Sequence, residues 1–177
     1  FTDLQVFRDF VKSTFKEPGK YDFDETSEIF NEQARLFKQN GDAYCMAPFR
    51  SKDFITYWDD QKRKARYGAI FKNNGKVWYL HRDYYFWIHF LPIYDKIKKV
   101  FAFAQVWDVQ LHMSLYEELA ELHYKHASIF KKRQIASSYF HMGKLINRIW
   151  FDAGAILKIG ASLKDFINLA GSWKFLD

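Results

Sequence analysis

Three cations, then Gln134 and Ile135, then a small residue and two hydroxyls make up Lys131-Lys132-Arg133-Gln134-Ile135-Ala136-Ser137-Ser138. A short apolar run, Ala127-Ser128-Ile129-Phe130, precedes them, and a helical pattern from Tyr139 to Phe151 follows. A strand, a basic loop and a helix start, in that order, aim backbone N–H groups and the positive end of a helix dipole at an anion. A cation in the loop neutralises phosphate charge, and a hydroxyl at the helix start can ligate Mg²⁺. The chemistry expected is the holding of a nucleoside triphosphate. The pattern G-x-x-x-x-G-K-[ST] is only partly met: Ala136 takes the second glycine slot, Ser137 takes the lysine slot, and the charge comes earlier. The plain alternative is a solvated basic loop between a strand and a helix.

Lys131 to Tyr139 resembles the altered Walker A loop of the large terminase subunits of tailed phages, K-x-R-[QR]-x-G-x-S-[TY], and departs from it only at Ala136. The resemblance continues upstream through Phe54-Ile55-Thr56-Tyr57-Trp58-Asp59-Asp60. It then takes in the aromatic run Tyr84-Tyr85-Phe86-Trp87-Ile88-His89-Phe90-Leu91-Pro92-Ile93, and Val106-Trp107-Asp108. It implies an α/β fold: an ASCE-type P-loop parallel sheet with helices on both faces, incomplete here, preceded by a mostly helical N-terminal region. It further implies ATP and Mg²⁺ as cofactors. The partners implied are double-stranded DNA, the portal of a procapsid and a small terminase subunit. The setting implied is a homo-oligomeric ring in the host cytoplasm, without a membrane.

On this resemblance the backbone amides of Gln134, Ile135, Ala136, Ser137 and Ser138 cradle the β- and γ-phosphates, and Tyr139 closes the motif. Arg133 and Lys131, with Lys132 as the alternative to either, supply charge to the transferring phosphoryl group. Ser138 ligates Mg²⁺. Trp107 stacks on the base and Gln110 reads its edge; equally, Trp107 is a core anchor and Gln110 a surface residue. ATP hydrolysis would drive DNA packaging, and a nuclease part would cut the concatemer. No apolar strand ending in two acids follows the loop before Asp177, and no nuclease part is seen, so this stretch by itself should bind nucleotide weakly and not turn it over. The rivals are a non-catalytic DNA-binding or virion structural module, and another P-loop motor such as a helicase.

The elements that must position these residues divide into a helical region, 1–50, and a nucleotide-binding region, 51–177. Leu4, Val6, Phe7, Phe10, Val11 and Phe15 form one helical stripe, ended by Pro18-Gly19. A second helix runs from Thr26 or Ser27 to Gln39, with Ile29, Phe30, Ala34 and Phe37 inward and Asn40-Gly41 as its stop. Ser51 opens a third, whose tail Lys62-Arg63-Lys64-Ala65-Arg66 suits a helix C-terminus or, less directly, DNA phosphates. Asn73-Asn74-Gly75 marks a hairpin between Gly68–Phe71 and Val77–Leu80. Lys96, Lys98 and Lys99 precede the apolar run Val100–Ala104. A long helix then buries Leu111, Leu115, Leu119 and Leu122. The helix after the loop turns Met142, Leu145, Ile146, Ile149 and Trp150 inward. Ala155–Gly160 reads as the next strand, and Ser162-Leu163-Lys164-Asp165 as a capping box.

Composition narrows the class. Aromatic residues make up 20% of 177, which argues for a packed domain over a disordered chain. Cys45 has no second cysteine to pair with, which favours a reducing compartment. No apolar run approaches the length of a membrane span. Residues 1–60 hold 8 Lys/Arg against 12 Asp/Glu, whereas 61–177 hold 19 against 9, so a basic body follows an acidic front and suits a phosphate-bearing partner. The chain starts at Phe1 and stops at Asp177, which reads as a fragment. His112, His123 and His126 offer too few ligands on one face for zinc. Asp59-Asp60 and Glu117-Glu118 are helical neighbours that point apart, so neither is an acid/base dyad.

Overall fold

The computed structural model describes residues 32–73, 76–95, 99–104, 108–131 and 136–156. In chain order its elements are α1 (Glu32–Gln39), α2 (Lys52–Tyr67), β1 (Ala69–Asn73), β2 (Lys76–Leu80), α3 (Arg82–Phe90), β3 (Pro92–Asp95), β4 (Val100–Phe103), α4 (Asp108–Leu122) and α5 (Ser137–Phe151).

Local chemistry sets the bounds of α2. Ser51 is extended and its Oγ accepts the Phe54 amide at 3.2 Å, which caps α2. Asp53 in the first turn and Lys64 and Arg66 in the last complement the helix dipole. The chain then leaves α2 through Gly68, whose φ of 86° and ψ of 176° suit glycine alone. A Cβ there would fall 2.6 Å from the Leu80 carbonyl oxygen, so this glycine also lets β2 close against the end of α2. Arg63 and Lys64 both pair with Asp60 at 2.7 Å, and Lys62 lies 3.7 Å from Asp59. Most of the basic tail of α2 is thus engaged within its own helix.

α3 is the centre of the molecule and touches α1, α2, α4, α5 and β4. Tyr84, Trp87 and Ile88 are fully buried, and Tyr85 and Phe86 nearly so. A helix apolar on every side must be enclosed on every side. Leu80, Leu111, Leu115 and Phe140 close the core around it. Truncating Trp87 to alanine is expected to remove about 3–5 kcal/mol.

The expected P-loop parallel sheet is corrected by the structure. Among the described residues the strands form two separate antiparallel hairpins, β1–β2 and β3–β4. Their registers run Ala69↔Leu80 to Asn73↔Lys76 and Pro92↔Phe103 to Asp95↔Val100. Such strands pair with their sequence neighbours across a short turn, whereas parallel strands need a long crossover. Ala127–Phe130, read above as the strand before the loop, is neither strand nor helix, and Phe130 is 99% exposed. A short, mostly apolar run does not make a strand without a ladder to join.

The helical expectations fare differently. The helix expected to end at Gln39 does so as α1, with Ala34 buried. The hairpin around Asn74-Gly75 is present, although those two residues lie outside the described set. Leu111 and Leu115 are buried in α4, with Leu119 and Leu122 packed partly against the core. In α5, Met142 and Ile146 face inward, but Ile149 and Trp150 are exposed, contrary to expectation. Their places on the inner face go to Asn147 and Gly143. Ala155 and Ile156, the start of the next expected strand, are neither strand nor helix, and Ile156 is exposed; the first stripe, up to Phe15, the rest of that strand at 157–160 and the capping box at Ser162 lie outside the described residues.

Candidate functional site

α5 starts in an unusual way. Its cap residue, Ala136, holds φ 53° and ψ 20° in the left-handed region. This is the slot that the terminase-like pattern fills with glycine, and a left-handed alanine costs roughly 1 kcal/mol or more relative to glycine. The Ala136 carbonyl accepts the Phe140 amide at 3.0 Å, so the helix winds from here. No side-chain oxygen caps the end, and no acid lies in the first turn. The positive pole of the α5 dipole is therefore not neutralised by its own first turn.

The two hydroxyls diverge. Ser137 is buried, with its Oγ 3.7 Å from Met113 Sδ on α4, whereas Ser138 is exposed. Ser138 is thus the hydroxyl open to a ligand, and Lys131 is exposed as well. Tyr139 is half-buried against the core. Lys132, Arg133, Gln134, Ile135 and Trp107 lie outside the described residues. Gln110 is buried in the core, where its Oε1 accepts the Trp87 indole N–H at 3.3 Å. It is neither a surface residue nor turned outward to a base.

Behind the turn runs a polar ladder that the sequence reading did not single out. His141, one turn into α5, donates from Nδ1 to the Ser137 carbonyl at 2.6 Å and from Nε2 to Glu117 Oε1 on α4 at 2.7 Å. Lys144 Nζ bridges Glu117 Oε2 at 2.8 Å and Glu121 Oε1 at 2.7 Å. Arg148 joins Glu121 Oε2 and Asp83 Oδ2, each at 3.0 Å. Asn147 donates to Asp83 Oδ1 at 2.8 Å. Glu118 turns the other way, with its Oε2 2.5 Å from His81 Nε2. Glu117 and Glu118 do point apart, as their adjacency on a helix requires.

The charges in this ladder are matched. Burial would push the Glu117 carboxyl up, but the hydrogen bonds from His141 and Lys144 and their charges hold it below the usual carboxylate range. The hydrogen bond to Glu117 raises His141 against its desolvation, a direction that suits an imidazole facing two acceptors, the Ser137 carbonyl and Glu117. Burial likewise opposes the charge on Asp83, and His81, Arg148 and Asn147 overcome it. No carboxylate here is left as a general base; the ladder pins α5 to α4 and to the start of α3. Its sequence signal is the spacing of His141, Lys144 and Arg148 opposite Glu117 and Glu121, a helical period on both strands of the ladder.

A cavity of about 520 Å³ opens between α2, α3 and α5, walled by Trp58, Phe86, Phe90, Trp150 and Phe151, with Lys62 also lining it. It adjoins the C-terminal end of α5, about 20 Å along the helix from Ala136 at 1.5 Å per residue. The cavity and the turn are separate features. Among the described residues, no three His, Cys, Asp or Glu side chains converge to hold a metal ion. Comparison with protein-family models, with curated proteins and with solved structures gives no match.

Proposed function

We propose that residues 131–138 hold the phosphates of a nucleoside triphosphate, and that the chain is part of a large terminase subunit, an ATPase that drives double-stranded DNA into a procapsid. The observation that carries the reading is the start of α5. A left-handed residue, an uncapped and acid-free first turn and an exposed hydroxyl follow Lys131-Lys132-Arg133 after two residues, Gln134 and Ile135. That combination supplies uncompensated positive potential where an anion can approach the backbone. The phosphate part of the reading rests on this turn and its helix, and the terminase part on the resemblance of residues 131–139.

ATP fits the turn by charge and by the uncapped helix start at Ala136. Mg²⁺ would be held mostly by phosphate oxygens and water, with the Ser138 hydroxyl as the chain's own ligand, since that ion commonly keeps such a shell. Bound ATP·Mg²⁺ would supply the phosphoryl group whose loss powers translocation. The chain's own part is to orient that group through the turn and to neutralise its charge through Arg133 and Lys131 or Lys132. The ladder behind holds the Ser137 carbonyl through His141, which keeps the turn from unwinding.

The test is thermal unfolding of the chain with ATP and Mg²⁺. At ten times the dissociation constant, binding to the folded state alone adds about 1.4 kcal/mol. Arg133→Ala and Ser138→Ala are expected to remove that gain while leaving the melting point without nucleotide unchanged. Stabilisation by ATP that survives both substitutions would overturn the assignment. Stabilisation by short duplex DNA but not by ATP would favour a DNA-binding module, with the same turn meeting the phosphates of nucleic acid.

A further inference from the structure

The β3–β4 hairpin carries an aromatic ledge that the turn before α5 does not use. Its register pairs Tyr94 with Phe101 and Pro92 with Phe103, and strand alternation sets these four on one face. Ile93, on the other face, packs against the core, so the Tyr94–Phe101 face looks outward. Phe103 is partly covered by Phe37, edge to face at 5.7 Å, and Lys38 Nζ lies 6.0 Å from its ring centre. Beyond that cover the ledge is open: Phe101 is 70% exposed and Tyr94 48%. Their two rings brace each other edge to face at 5.3 Å.

Cations border this ledge at both ends. Lys99 is exposed in the turn between the strands, and Lys38 stands at the Phe103 end. In sequence, Pro92–Phe103 holds three lysines, Lys96, Lys98 and Lys99, against the single acid Asp95. Exposed aromatic faces stack on unpaired bases of any sequence, and flanking lysines meet the phosphates between them. A duplex hides its base faces and would engage only the lysines. Rings already held by each other also lose less side-chain freedom on binding.

We propose that the β3–β4 hairpin binds single-stranded nucleic acid, with Tyr94 and Phe101 stacking on bases and Lys99 and Lys38 meeting the backbone. The proposal stands apart from the nucleotide reading, because it uses none of residues 131–139. It is tested by fluorescence anisotropy of the full chain with a labelled oligothymidylate of about 16 nucleotides, a length within the range of known single-strand sites. A duplex of the same length and anionic phospholipid vesicles are the comparison arms.

Phe101→Ala and Tyr94→Ala are each expected to weaken oligothymidylate binding about tenfold, and Phe101→Trp to retain it. Lys99→Gln should reduce the logarithmic salt slope by about 0.7. Because both rings are exposed, melting points should stay within about 2 °C of the parent chain. Arg133→Ala, aimed at the nucleotide reading, should leave oligothymidylate affinity unchanged. Affinity that is indifferent to Phe101→Ala and Tyr94→Ala would overturn the proposal. So would loss of binding on Arg133→Ala, which would move the nucleic-acid site to the basic turn. Phe101-dependent binding to vesicles without binding to the oligonucleotide would assign the ledge to a membrane surface instead.

Discussion

Ala136 occupies a backbone conformation that its side chain disfavours, at the single position where the loop departs from the terminase-like pattern. The strain belongs to the turn and not to the residue, so relieving it should help. Ala136→Gly is expected to raise the free energy of unfolding by about 1 kcal/mol and to tighten nucleotide binding together with it. Denaturant titration and ATP-dependent melting of the same variant measure the two effects. His89 poses the opposite case. It is fully enclosed between Tyr85 and Phe90, and burial pushes its imidazole down to about 3. The unfolded chain takes up this proton below about pH 6.5, while the folded chain refuses it down to about 3. The stability is therefore complete above pH 6.5 and is lost as pH falls from 6.5 towards 3, by several kcal/mol at about 1.4 per unit. His89→Phe should flatten that part of the stability–pH curve, as urea midpoints at pH 4 and pH 7 would reveal.

Between elements, α5 is held by two different means. Towards α4 it is held by charge, through Glu117, Lys144, Glu121 and Arg148. Glu117 and Lys144 are mostly out of water, so screening is weak, and a double-mutant cycle between them should return a coupling of about 1 kcal/mol or more. Towards α3 it is held by the Arg148–Asp83 pair at the start of that helix and, further along, by close approach. A methyl group on Gly143 would lie 2.8 Å from Leu91 Cδ1 and 3.2 Å from Trp87 Cε3. Leu91 can swing aside, but Trp87 is fully buried and has nowhere to go. Gly143→Ala should gain about 1 kcal/mol of helix propensity and lose more than that in overpacking. A net loss in calorimetric stability is the expected result, and a gain would mean that α3 and α5 are less closely packed than described.

At the scale of the whole molecule, stability is concentrated around α3 and thins towards the stretch that leads to the candidate site. Residues 124–131 belong to no helix or strand, and Tyr124 and Phe130 are each 99% exposed. Hydrogen exchange should show α3 amides opening only with global unfolding, and those of 125–131 exchanging orders of magnitude faster. If ATP binds the turn as proposed, its addition should slow exchange at the start of α5. No helix among the described residues is long and apolar enough to cross a membrane.

Much of this was written locally. Ser51 and the charges of α2, the stop after Gln39, the β1–β2 hairpin and the inner face of α4 follow from capping, turn chemistry and a period of 3.6, all of which act between near neighbours. The basic stretch ahead of Ser137 and the aromatic and lysine content of Pro92–Phe103 were equally plain in the residues. Tertiary structure decided the rest, because the same local signal permits several partners. An apolar run such as Ala127–Phe130 can be a strand only where another strand waits, and here the strands pair in hairpins elsewhere. Tyr84–Phe90 became a buried helix since four other helices enclose it. Ile149 and Trp150 were left outside because Gly143 and Asn147 turn the inner face of α5 towards Trp87 and Asp83. Which hydroxyl faces water, and which glutamate answers which cation, depended on how α4 and α5 meet, a contact between residues more than twenty positions apart.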